Sequence, residues 1–402
     1  MSTPKMVALP TKRLKIGQRL PFTVLDEHGR ILLAKGLQIE NREQLERLCR
    51  RSAIYVPFEE SEKAIKVLMM GLVAADRNAA PIKDWDKFVE FEQPQPLSTI
   101  HTPLTGSFEE QCEQLTSRTG STLSFLANHS DDTGLSKLRH LIEDVQQLLL
   151  RPEASLWWLT HQVITHPAKY GALHTLQCTV MIHQLSPVLK LERSSALAAA
   201  LTMNMTMLSL QNVLALQKGP PTYEQRQAID EHAEKAAQKL AELGMDDPLC
   251  LTAVRHHHED IVFDDFDKLD EGLRIAHALR VIDRYTASMS PRANREGRTA
   301  REAAGYLLAQ MRNDPVALAL LNLWGLYPPG SFVELNTGDL GVVLKPGVKA
   351  AAPVVAVVAN VNREPCSPRI VVTGGTETVV NALTGTAARF NVNVSAVLKL
   401  LK

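Results

Sequence analysis

The sequence predicts a mainly α protein, a large helical bundle domain flanked by a small N-terminal β-rich module and a β-rich C-terminal tail. Three observations carry this. Residues 108–326 keep helical periodicity with almost no strand-like alternation, the first sixty residues alternate in short runs about a hairpin turn, and from Tyr327 short β-like runs recur between glycines. At 402 residues the chain exceeds the roughly 100–200 that one core serves. Four segments are therefore expected, at 1–60, 61–107, 108–326 and 327–402.

In the first segment Leu20 to Leu25 and Arg30 to Leu33 are strand-like about the turn Asp26-Glu27-His28-Gly29. Asn41, with Gln44 three residues on, starts a short helix, and Ala53 to Val56 returns as a strand. A further helix is expected over 61–75. The prolines at 81, 94 and 96 then mark a linker to about Gly106. In the large domain Ser195 to Leu216 is apolar nearly all round, which predicts a central buried helix. Tyr223 to Leu243 reads as a helix capped by Thr222 and Gln225 and closed by Gly244, with His232 on its apolar face. Asp247-Pro248 starts another that runs to His256-His257-His258-Glu259. In the tail Phe332 to Leu335, Gly341 to Leu344, Val354 to Val358 and Arg369 to Val372 are expected strands.

Lysine plus arginine (44) equals aspartate plus glutamate (44), which removes a global electrostatic case for nucleic acid or an anionic membrane surface. Cys49, Cys112, Cys178, Cys250 and Cys366 are scattered and never spaced C-x-x-C, as expected of reduced thiols in a cytoplasm. No apolar stretch follows the basic residues Lys5, Lys12 and Arg13, so no signal peptide is read. The most apolar stretches, Ala196 to Leu210 and Ala351 to Val361, are interrupted by Asn204 and Pro353 and fall short of the ~20 residues of a membrane span. A cytoplasmic protein without a membrane span is expected.

Nine of the thirteen histidines lie between 161 and 277. His174, His232, His257, His258 and Asp283 could supply five metal ligands from four helices, whereas each histidine alone is more often a hydrogen-bonded core residue. A two-metal phosphohydrolase sets its ions ~3.5–4 Å apart, which requires one carboxylate that touches both.

The joint spacing resembles the HD-GYP family of bacterial cyclic di-GMP phosphodiesterases. Glu231-His232, His257-His258-Glu259, the run Asp283 to Ala287 with Met289 to Arg292, and Tyr327-Pro328-Pro329-Gly330 all match elements of that family, over about 170 to 345. The first module is similar to small modules found before HD-GYP or GGDEF domains. The resemblance implies an HD-type helical bundle with a histidine- and aspartate-lined metal site. It also puts Met203 at the family's histidine, Asn204 at its bridging aspartate and Met207 at its lysine, and Tyr170 where some members carry a glutamate. The D-G-x-G-Y-P loop is replaced by Asp260-Ile261-Val262-Phe263-Asp264-Asp265-Phe266. A thioether and a neutral amide are poor ligands for Fe, Mn or Mg; equally, the three methionines are ordinary filling for a buried helix.

Arg274, Arg280, Arg284, Arg292, Arg295, Arg298 and Arg301 concentrate positive charge after the histidine run. The resemblance implies that Arg292 and Arg295 stand where family members contact the dinucleotide; a solvated, salt-bridged face is the alternative. Asp260, Asp264, Asp265, Asp267, Asp270 and Glu271 are expected to oppose an anionic ligand. Taken together these residues predict a degenerate HD-GYP-like regulator, a pseudoenzyme binding cyclic di-GMP or protein partners and needing no cofactor. The alternatives are a phosphodiesterase with a reduced Fe or Mn site, or an HDOD-like interaction scaffold.

Overall fold

The computed structural model describes residues 6–9, 20, 22–26, 31–33, 39, 48, 54–57, 101–129, 133–165, 169–385, 387–388 and 392–401. They belong to two compact units, Met1–Gln93 and Pro94–Lys402.

The first unit contains an antiparallel sheet of β1 (Met6–Leu9), β2 (Val24–Leu25), β3 (Ile31–Leu33) and β4 (Ile54–Pro57), in the order β1-β4-β2-β3. The strands read at 20–25 and 30–33 pair as β2 and β3, and β4 is the strand read at 53–56. The sequence reading had no β1. Leu20, Phe22, Val24, Ile39, Leu48 and Val56 are buried. The tip of the hairpin turn, the start of the Asn41 helix, the 61–75 helix and the prolines at 81, 94 and 96 lie outside the described residues.

The second unit is mainly helical: α1 (Phe108–Asn128), α2 (Gly134–Leu149), α3 (Pro152–Thr165), α4 (Tyr170–Leu189), α5 (Arg193–Thr202), α6 (Leu208–Leu216), α7 (Tyr223–Glu242), α8 (Pro248–His256), α9 (Glu271–Met289), α10 (Ala300–Gln310) and α11 (Pro315–Trp324). Side chains set the starts. Ser107 with Glu110, Thr222 with Gln225 and Thr299 with Glu302 form reciprocal capping boxes, while Asp247 and Asp314 cap helices that open on a proline. These caps fix where α7 and α8 begin, and so where His232 and the histidine run fall.

One expectation needs correction. Ser195 to Leu216 is two helices, α5 and α6, separated by Met203, Asn204 and a 3-10 turn at Met205–Met207. Thr202 Oγ1 donates back to the Ala198 carbonyl at 2.7 Å, and Asn204 adopts φ −106°, ψ 10°, so short polar side chains end the regular ladder there. Arg193 to Leu216 is long and apolar enough to cross a membrane by length and composition, but 67% of its most apolar window is buried inside the protein.

After α11 comes a five-stranded antiparallel sheet of β5 (Phe332–Leu335), β6 (Leu340–Lys345), β7 (Val354–Ala359), β8 (Pro365–Val372) and β9 (Val379–Leu383), in the order β8-β7-β6-β5-β9, then α12 (Val394–Leu398). The sequence reading found four of these strands and missed β9, whose Val379–Leu383 alternates little. Phe332, Val342 and Val355 share one apolar core with Trp157, Leu176, Leu240 and Leu279, so sheet and helices are packed together.

Gly330 makes a close approach between the two. Its φ is +91°, and an added Cβ would stand 2.5 Å from the Trp157 carbonyl oxygen and 2.8 Å from Thr160 Cβ. Gly330→Ala is therefore expected to destabilise the protein by more than the ~1 kcal/mol of an ordinary Gly/Ala change, read as a lower urea midpoint. An unchanged midpoint would show that α3 and the sheet are not held this tightly.

Candidate functional site

Four helices bring the five residues singled out above into two adjoining groups. His174 lies in the first turns of α4 and Asp283 on α9, and their side chains meet at 2.8 Å between Nε2 and Oδ1. His232 on α7 meets His257, at the end of α8, at 3.3 Å between the two Nε2 atoms. His258 follows, its ring 4.2 Å from His257 and 4.9 Å from His232. One donor atom from each of His232, His257 and His258 lies within 4.8 Å of the others, and the same holds for His174, Cys178 and Asp283.

Hydrogen bonds orient the rings. His232 Nδ1 meets the Ile229 carbonyl at 2.5 Å and His257 Nδ1 the Val254 carbonyl at 2.7 Å. Since a carbonyl only accepts, each Nδ1 is the protonated nitrogen, and in the neutral ring Nε2 keeps its lone pair. Tyr170 stacks on His174 at 4.9 Å and 17°, and Cys178 Sγ lies 3.8 Å from His174 Nε2. The sequence reading has Cys178 as a reduced thiol and not as a candidate ligand. The spacing His174 to Cys178, i to i+4 on one helix, already puts both on one face and was the available signal.

The groups differ in charge. Burial pushes the His257 imidazole down to about 3, helped by the neighbouring His258 and His232. Burial likewise pushes His232 down to about 4. At His174 burial also opposes protonation, but neighbouring Cys178 and Tyr170 and the hydrogen bond to Asp283 outweigh it, and the value is raised well above the ordinary one. The Asp283 carboxylate is the one formal charge in contact with that ring, which fixes the direction. Burial opposes the charge on Asp283 too, yet His174 and the histidines at 257 and 258 hold it well below the usual carboxylate range.

Met203 is fully buried at the end of α5, Asn204 is buried, and Met207 ends the 3-10 turn, itself packed beside α7 where Thr206 Oγ1 donates to the His232 carbonyl at 3.0 Å. The Asn204 side-chain Nδ2 is buried with no hydrogen-bond partner. A bridged two-metal centre does not fit this donor set, because Asp283 is the one carboxylate in the two groups and Asn204 offers only an amide. A single ion does fit either triad of donors.

Part of the acidic loop is engaged by local partners. Asp260 pairs with Arg280 at 2.8 Å, Asp265 and Asp270 cap helical turns, and Glu271 accepts from the Glu192 amide at 2.7 Å. Those carboxylates are occupied by local partners. The arginines do not make one surface: Arg274 approaches Glu271 at 3.8 Å and Arg298 lies over Tyr306 at 4.2 Å. Arg292 and Arg295 are held by two backbone hydrogen bonds across the turn after α9, at 2.9 and 3.1 Å. The Arg292 guanidinium lies 5.6 Å over the Tyr170 ring and its Nε is buried without a partner. Arg295 is exposed, and its Nη2 donates to the Ala287 carbonyl at 2.8 Å.

No family model and no curated protein matches the chain. Among solved structures, a HDG"Y"P protein from Bdellovibrio bacteriovorus is similar at 13% identity with a TM-score of 0.41, over 79% of this chain and 99% of that one.

The lowered values at His232 and His257 imply a pH dependence. Unfolded, both titrate near the ordinary ~6.5, so the unfolded state takes up protons first as pH falls. Their contribution to stability is full above that value and is lost progressively as pH drops towards about 4 and about 3. In chelator-treated protein the urea-unfolding free energy is expected to fall from pH 7 to 4.5 by a few kcal/mol, as an order of magnitude, and His232→Gln with His257→Gln should flatten the fall. Titration of both imidazoles near 6.5 in NMR spectra would contradict the neutral pair.

Proposed function

We propose that the chain is an HD-GYP-like binding protein, a catalytically impaired regulator that takes up cyclic di-GMP or a closely related dinucleotide through fixed positive charge. The observation that carries this is the stack running from the Arg292–Arg295 turn through Tyr170 to His174 and Asp283. It offers guanidinium groups anchored beside an aromatic ring and a protonated imidazole, while position 204 supplies an amide. Arginine presents a planar fork to phosphate oxygens or a guanine edge, and Arg292 has an unused donor to give. Chemically these residues bind and orient an anion. The resemblance in the motifs at 231–232, 257–259 and 283–292 supports the choice of dinucleotide.

Within this reading Tyr170 is a spacer that keeps Arg292 and His174 apart while stacking between them. A second reading, a metal-dependent phosphodiesterase with a reduced site, is favoured by the His232, His257 and His258 triad, one ring nitrogen of each lying within 4.8 Å of the others. A bound Fe or Mn ion would there activate water as a Lewis acid. The HDOD-like scaffold reading needs no small ligand at all.

Calorimetry with cyclic di-GMP separates these readings. Arg292→Ala with Arg295→Ala is expected to weaken binding about tenfold or more, ~1.4 kcal/mol, whereas removing the exposed Arg226 on α7, outside the stack, should leave it unchanged. Equal loss in both variants would reduce the effect to net charge and remove the argument for a site. No binding by the wild-type protein at millimolar dinucleotide would leave the interaction-scaffold reading.

A further inference from the structure

We propose that His174, Cys178 and Asp283 form a site for a single thiophilic divalent ion of the zinc class, with the Cys178 thiolate as the ligand that selects it. The site shares His174 and Asp283 with the stack of the nucleotide reading, but the argument for it rests on the facing surfaces of α4 and α9.

His174 and Cys178 stand one turn apart on α4, and Asp283 and Thr286 stand one turn apart on α9, so two short ladders of polar side chains face each other between packed helices. His174, Cys178 and Thr286 are fully buried. A thiol, an imidazole and a carboxylate, three different donor chemistries, thus meet with one atom from each within 4.8 Å.

The spacing suits a tetrahedral ion. With Zn–N near 2.0–2.1 Å and Zn–S near 2.3 Å, two such ligands stand about 3.6 Å apart. The observed separation of His174 Nε2 and Cys178 Sγ is 3.8 Å. The Asp283 oxygen is closer to Nε2, at 2.8 Å, because a hydrogen bond joins them. Ion binding replaces that proton, and the carboxylate moves outward by roughly half an ångström to the ~3.4 Å of two ligands sharing an ion.

The imidazole is already braced for this role. Thr286 Oγ1 donates to the Ile282 carbonyl at 2.9 Å, which leaves the same oxygen to accept from His174 Nδ1 at 3.4 Å. A partner on Nδ1 fixes the tautomer that leaves Nε2 free to coordinate. Coordination needs the thiolate and the neutral imidazole, so uptake of the dication displaces to solvent the protons that stand on the two ligating atoms. Dication, thiolate, carboxylate and neutral imidazole sum to zero charge, which suits a buried site. The fourth tetrahedral position is left for water or a ligand oxygen. Thiolate disfavours manganese and magnesium and favours zinc, so the metal preference departs from that of an oxygen-rich centre.

The test uses the full-length protein, stripped with chelator and titrated with Co²⁺ as a spectroscopic probe and then with Zn²⁺. One equivalent of Co²⁺ is expected to bring up a thiolate-to-cobalt charge-transfer band with tetrahedral ligand-field absorption, both removed by Zn²⁺. Cys178→Ser and Cys178→Ala should lose the band and weaken Zn²⁺ binding at least about tenfold. Cys366→Ser, at an exposed thiol, should keep the band. Zinc X-ray absorption of the wild-type protein, which requires no variant, should show a sulfur scatterer at about 2.3 Å. Absence of sulfur from that shell, or unchanged affinity in both Cys178 variants, overturns the proposal. Ligand-field absorption without a charge-transfer band, lost in His257→Ala but kept in Cys178→Ser, assigns the ion to the other triad and overturns it equally. Dinucleotide calorimetry on Cys178→Ser keeps the two questions apart, since failure of the metal site leaves the arginine turn intact.

Discussion

The contact between His174 and Asp283 is the constraint on which the candidate site depends. It joins α4 to α9 at the centre of the bundle, and it is there that a charged imidazole is kept inside the protein. Burying either ion alone is costly, and breaking such a pair by removing one partner typically costs ~3–5 kcal/mol. The pair therefore fixes how α4 sits against α9. Tyr170 rides on the His174 ring, Arg292 rides on Tyr170, and Cys178 is placed one turn further along α4. Arginine turn, aromatic spacer and thiol all inherit their positions from one hydrogen bond.

His232 and His257, in the other group, obey the opposite rule. They have no carboxylate in contact, each gives its Nδ1 proton to a carbonyl one turn back on its own helix, and burial keeps both neutral. Neighbouring groups thus carry different charge states because one contains a carboxylate and the other does not. A carboxylate at position 204 would have supplied a second negative charge. The amide there leaves Asp283 as the one carboxylate of the two groups.

Much of this was legible in the sequence. Helix starts were readable because caps are local: Thr222 with Gln225 and Asp247 with Pro248 carry their own signal, and they place His232 and His257. The break at Met203–Met207 was not readable, since an apolar stretch looks the same whether it continues or turns, and the decisive back-bond from Thr202 to Ala198 is a rotamer choice. The sheet strand β9 was missed because its Val379–Leu383 faces are nearly alike in exposure. At the site, the five histidine and aspartate positions followed from spacing. Their division into a charged pair and a neutral cluster did not, because it depends on which helices touch. The pairing of Asp260 with Arg280 was hidden for the same reason: it joins residues twenty apart, and the acidic run looked like open charge.

The proposed function is that of a site that holds a dinucleotide without cutting it, and its most direct measurement is product analysis after prolonged incubation of the purified protein with cyclic di-GMP and excess Mn²⁺. Recovery of the intact cyclic dinucleotide is the expected result. Linear product that accumulates with time and vanishes with chelator or in His257→Ala would contradict the account and establish a working hydrolytic centre.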